Sequence, residues 1–117
     1  MPSYVLILFN EIEREIAVGR LGRVKFLPGY YYYVGSANSG VHRVKRHFSM
    51  QKRKRWHIDY ISSILQVIGA VLTHYNECVL ASKFSGFQPI PHFGCSDCKC
   101  RSHLFYSPTL TLEFLSA

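Results

Sequence analysis

The chain has 117 residues, 48% apolar and 18% charged, which suits one domain over 1–117 with one continuous core and argues against a disordered polymer. No stretch approaches eighteen uncharged apolar residues, so nothing reads as a membrane span, and Met1-Pro2-Ser3-Tyr4 does not read as a leader. The net charge of +7 is concentrated, because residues 16–58 hold ten bases and no carboxylate, whereas residues 1–15 hold Glu11, Glu13 and Glu15 against Arg14. The expected compartment is the cytoplasm and the expected state a monomer. A basic field attracts a polyanion and releases its counterions. Nucleic acid fits that better than anionic lipid, for which the segment lacks a helix with a large exposed apolar face.

Along the chain, Tyr4-Val5-Leu6-Ile7-Leu8-Phe9 is an apolar run of strand formers closed by Asn10. Arg14–Val18 and Arg23–Phe26 alternate with period two around a turn at Gly19–Gly22. Pro28-Gly29 makes a further turn into the extended segment Tyr30–Val34. Short connections favour antiparallel neighbours. After the loop Gly35–Gly40, Val41, Val44 and Phe48 are spaced for a helix over 41–49. Ile58, Ile61, Ile64, Leu65 and Ile68 are spaced for a second over 56–67. Residues 70–75 read as a strand, 77–84 as a third helix with Gly86 beyond it, 87–102 as a loop, and 103–114 as a strand broken at Pro108. The expected class is α+β, a small antiparallel sheet flanked by helices.

Three of the four cysteines, Cys95, Cys98 and Cys100, lie within six residues, too crowded for relaxed disulfides among themselves. With His103 they offer soft donors for a tetrahedral Zn²⁺, although Cys98-Lys99-Cys100 is tighter than the usual two-residue gap and no second pair follows. The competing account is a packed loop with reduced thiols, in which His103 satisfies a carbonyl.

Tyr33-Val34-Gly35 ends a strand, and Arg43 and His47, four residues apart, share one face of the next helix. The same face borders the apolar edge of Val44 and Phe48, so both side chains should lie near the sheet. Arginine binds phosphate oxygens in bidentate fashion, and a phenol or imidazole can hold or deprotonate water. Alternation places Tyr31 on the face of Tyr33, where it would line the same groove.

This pattern resembles the GIY-YIG endonucleases, and the wider one their Uri-type branch. It includes Val18-Gly19-Arg20-Leu21-Gly22, Gly29 through Ala37, Arg43-Val44-Lys45-Arg46-His47, Trp56-His57-Ile58-Asp59-Tyr60, Gly94 through Cys100, and Ser102-His103-Leu104-Phe105. The resemblance implies a three-stranded antiparallel core with additions, and hydrolysis of a DNA backbone with one Mg²⁺ or Mn²⁺. It also implies Tyr33 and Tyr4 as the two motif tyrosines, Arg43 as the phosphate-binding arginine, and His47 as a further polar site residue. Glu77 would be the single metal-binding carboxylate. Two departures stand out: Pro2-Ser3 replaces the first motif's glycine, and the gap from Tyr4 to Tyr33 exceeds the usual short hairpin. Arg46, Lys52, Arg53, Lys54 and Arg55 would contact phosphates without reading bases. An unperturbed phenol titrates near ~10, so Tyr33 would need a neighbour to serve as a base. The alternative is a non-catalytic basic nucleic-acid-binding module, stapled by zinc through the Cys95–Cys100 cluster.

Overall fold

A computed structural model describes residues 3–36, 45, 47, 48, 57–94 and 102–115. The first apolar run becomes β1, Ser3–Asn10. It lies second in a five-stranded antiparallel sheet of order β5-β1-β4-β7-β6. Its neighbours are β4, Gly29–Ser36, and β5, Gln66–Thr73. The other members are β6, Gln88–Pro89, and β7, Leu104–Ser107. Between β1 and β4 the chain forms a separate hairpin of β2, Arg14–Ala17, and β3, Arg23–Phe26, joined through a 3₁₀ turn at Gly19–Leu21. This hairpin accounts for the long gap between Tyr4 and Tyr33.

Period-two alternation divides the sheet into two faces. Tyr4, Leu6, Leu8, Tyr31 and Tyr33 share one core with Phe93 and with Ile58 and Ile61 of helix α1, His57–Ser62. Val5, Ile7, Tyr32, Val34 and Phe105 share the other with Phe84, Phe114, and Leu80 and Ala81 of helix α2, Glu77–Ser82. Helices thus cover both faces of an antiparallel sheet, the α+β arrangement expected. The second core is a phenylalanine stack. Phe84 lies parallel to Phe105 at 4.9 Å and 8°, and Tyr32 meets Phe114 edge-on at 5.6 Å, both favoured geometries for aromatic quadrupoles.

Three sequence expectations need correction. The helix expected over 56–67 ends at Ser62, and β5 begins at Gln66, before the expected strand start at 70. Leu65 joins the first core and Val67 packs against it, while Ile64 and Ile68 are exposed. Ile68 stands where the β1–β5 register shifts between Ile7 and Leu8, as an extra residue at a bulge. The loop expected over 87–102 contains β6, whose Pro89 is tolerated because this strand is the sheet edge. After β7 the chain turns into a short 3₁₀ segment at Glu113–Leu115 instead of resuming a strand.

Candidate functional site

The three long strands finish level with one another. Ser3 at the start of β1 pairs with Ser36 at the end of β4 and with Thr73 at the end of β5. Tyr4, Tyr33 and His47 gather at this end. Tyr4 lies opposite Gly35 in the ladder, and its hydroxyl is hydrogen bonded to Nε2 of His47 at 2.6 Å. The Tyr33 ring is 6.3 Å from Tyr4 and 6.1 Å from His47, edge-on to the latter. Gly35 makes this packing possible: a Cβ there would fall inside the Tyr4 ring. The glycine of the Tyr-Val-Gly string therefore serves the tyrosine on the neighbouring strand.

The cluster is enclosed. Tyr4 and His47 are 0% exposed and Tyr33 is 6% exposed. Phe93 packs edge-on to Tyr33 at 6.1 Å, and the next residue, Gly94, adopts a left-handed backbone with φ of 72°. The Gly94 amide donates to Nδ1 of His57 at 2.8 Å, tying the segment after β6 to the start of α1. Burial holds His57 below its ordinary pKa of 6.5. Its Nδ1 accepts that bond, so the neutral ring carries its proton on Nε2.

Glu77 opens α2, whose body packs on the phenylalanine face, opposite the Tyr4–Tyr33–His47 cluster. Its carboxylate nevertheless lies at the same end of the sheet. Glu77 Oε2 is 3.3 Å from Nδ1 of His103, and that nitrogen is 3.1 Å from the carbonyl of Val34, the residue after Tyr33. Asn76 caps the helix, its side chain accepting from the Val79 amide at 2.9 Å. Glu77 is 36% exposed, and no group of three or more His, Cys, Asp or Glu side chains gathers among the described residues. Among the described residues Glu77 is a partly solvated carboxylate beside His103, a donor type that a hard cation keeping most of its water ligands accepts.

A model of the family described as Domain of unknown function DUF123 matches residues 3–116. The chain belongs to this family. No curated protein and no solved structure matches the DUF123 chain. No helix among its described residues is long and apolar enough to cross a membrane.

Of the residues singled out in the DUF123 sequence, the structure brings together Tyr4, Tyr33 and His47, with Glu77 and His103 at the same sheet end. It removes Tyr31 from the groove. Tyr31 is 1% exposed, donates its hydroxyl to the Leu27 carbonyl at 2.8 Å, and has its pKa pushed upward by burial. Alternation placed it on the correct face, but Phe26 and Tyr106 cover it, so it is a core residue and not a nucleic-acid contact. Phe48 does not face the sheet either: it is 53% exposed while His47 is buried. Arg43, Arg46, Lys52, Arg53, Lys54, Arg55, Cys95, Cys98 and Cys100 lie outside the described residues. Within the basic segment, Arg23 pairs with Glu15 at 2.6 Å and Lys25 with Glu13 at 3.7 Å across the β2–β3 hairpin. The acidic stretch thus offsets these two bases. Asp59, in the first turn of α1, is 0% exposed. Only its adjacency to Trp56-His57-Ile58, an apolar and aromatic setting, pointed to such burial.

Proposed function

We propose that the chain is a DNA endonuclease that hydrolyses phosphodiester bonds with one divalent cation. The observation carrying this reading is the packing of Tyr4, Tyr33 and His47 into one cluster where β1, β4 and β5 end together. The motif order resembling the Uri-type GIY-YIG enzymes supports it, as does the basic balance of residues 16–58. DNA repair or processing is the setting that this chemistry suits.

In this reading Tyr33, the one of the three with any exposure, orients the attacking water, and the Tyr4–His47 pair behind it takes up the proton. A phenol needs such a neighbour to act as a base near neutral pH. Arg43 binds the scissile phosphate and offsets its developing charge. Glu77 would hold a Mg²⁺ or Mn²⁺, which would supply Lewis acidity for the leaving oxygen. Arg46 and Lys52–Arg55 hold the backbone of the duplex without selecting sequence.

The burial of Tyr4 and His47 favours a second reading, a non-catalytic DNA-binding module in which the same cluster is a polar knot in the core. Incubating the protein with branched, nicked and damaged DNAs in Mg²⁺ or EDTA separates the two. Nicking that EDTA abolishes, and that Arg43→Ala and Glu77→Ala each remove while the protein still melts cooperatively, is the expected result. A salt-dependent mobility shift without nicking overturns the nuclease reading in favour of the module.

A further inference from the structure

His103, singled out in the sequence as a donor for zinc, also faces the Glu77 carboxylate through Nδ1. It is 3% exposed. Its backbone is fixed from both sides: the amide donates to the Phe93 carbonyl at 2.9 Å, and the carbonyl accepts from the Val34 amide at 2.8 Å. The residue before it is pinned as well, with the Ser102 hydroxyl donating to the Ile90 carbonyl at 2.6 Å and receiving the Leu104 amide at 2.9 Å. A side chain on so constrained a backbone has little freedom.

Two oxygens face Nδ1 of this ring, the Val34 carbonyl at 3.1 Å and Glu77 Oε2 at 3.3 Å. A carbonyl and an ionised carboxylate only accept, so Nδ1 must carry a proton. We propose that His103 is the positioning residue of the site. Its Nδ1–H, aimed by the end of β4, holds the Glu77 carboxylate against the strand that carries Tyr33. The inference rests on the reading of Glu77 as the metal-binding group.

Burial and fixed geometry make this contact matter. Glutamate is a flexible side chain, and at 36% exposure water would otherwise compete for its orientation. Hydrogen bonds from neighbouring groups orient ligating carboxylates, and their loss typically weakens metal binding about 10–100-fold. Gly94 packs beside the same residue, because a Cβ there would stand 3.2 Å from the His103 Cβ, tighter than ordinary contact, and 3.6 Å from the Tyr33 ring, an ordinary one. One ring therefore links the Glu77 carboxylate to the backbone beside Tyr33.

The test uses the full chain and Mn²⁺ alone, with binding followed by the electron paramagnetic resonance of the free ion. Binding to the wild type, its loss in Glu77→Gln, and about tenfold weaker binding in His103→Leu are expected. In His103→Asn, whose amide N–H stands close to the position of the imidazole Nδ1–H, most of the affinity should return. If Glu77→Gln binds Mn²⁺ like the wild type, or the wild type binds none, the metal reading falls and this inference with it. If Glu77→Gln loses Mn²⁺ while His103→Leu keeps it, the inference alone is overturned. Equal losses in the leucine and asparagine variants at unchanged melting temperature also overturn it. Should the leucine variant not fold, His103→Gln carries the same expectation. A metal-free readout stands beside these: the long-range ¹H–¹⁵N spectrum should show the proton of His103 on Nδ1. A bare Nδ1 would refute the proposal whatever the metal does.

Discussion

The two faces of the central sheet are built from the same strands but from different chemistry. On the phenylalanine face, Tyr32 lies among Phe84, Phe87 and Phe114. Its hydroxyl is fully used by one residue, donating to the Thr111 carbonyl and accepting the Thr111 amide, both at 2.9 Å. On the other face Tyr4 is as deeply buried, yet its hydroxyl meets the titratable ring of His47 and lies near a second phenol. Burial alone therefore does not distinguish a structural tyrosine from a chemical one. Under the proposed function the partner of the hydroxyl does: a peptide group fixes a proton, whereas an imidazole can exchange one.

That contrast can be broken from either side. The largest stability effect is expected from Phe84→Ala, which removes the ring at the middle of the phenylalanine stack. A loss of about 3–5 kcal/mol, measured by urea unfolding, should leave a marginal fold. A loss below ~1 kcal/mol would show that the stack is not the structural half. Next come the matched variants Tyr32→Phe and Tyr4→Phe. Tyr32→Phe strands the Thr111 amide and carbonyl and should cost about 1–3 kcal/mol with nicking retained. Tyr4→Phe should cost about 1 kcal/mol yet slow nicking about 100-fold. Equal effects of both on nicking would erase the distinction between the faces.

The smallest effect concerns pH. Because burial lowers the pKa of His57 below 6.5, the unfolded chain binds a proton at pH values where the folded chain does not. Stability then rises with pH across this window. The contribution is complete above the ordinary histidine value and is lost as pH falls through it toward the lower folded one. Melting temperature measured from pH 7.5 to pH 5 should decline, and the decline should be shallower in His57→Asn, which still offers an acceptor to the Gly94 amide. A parallel decline in both proteins would assign the pH sensitivity to other groups.

Much of this architecture was legible from pattern. β1, the β2–β3 hairpin and β4 announce themselves by apolar runs, alternation and glycine turns. The helix expected over 77–84 starts at Glu77 as α2 and ends at Ser82. The boundary between α1 and β5 was not legible because Ile61, Ile64, Leu65 and Ile68 satisfy helical spacing, and no glycine or proline marks the turn at Ser63–Leu65. β6 has no pattern of its own: two residues become a strand only because β7 pairs with them. At the site, chain order pointed to Tyr4, Tyr33 and His47, but the Tyr4–His47 bond spans 43 residues and lies beyond local reasoning. Tyr31 shows the opposite failure: alternation assigns a face and says nothing of what covers it.

β1 is laddered on both sides, through eight residue pairs to β4 and seven to β5. A slip of one position along either neighbour would exchange its faces. Val5 would then stand beside His47, and the phenol of Tyr4 would be thrust among the phenylalanines. The address of a single hydroxyl is thus written into the whole length of a strand. Under the proposed function, insertions near Ile7 or Leu8 would be as damaging to the chemistry as replacing the tyrosine itself.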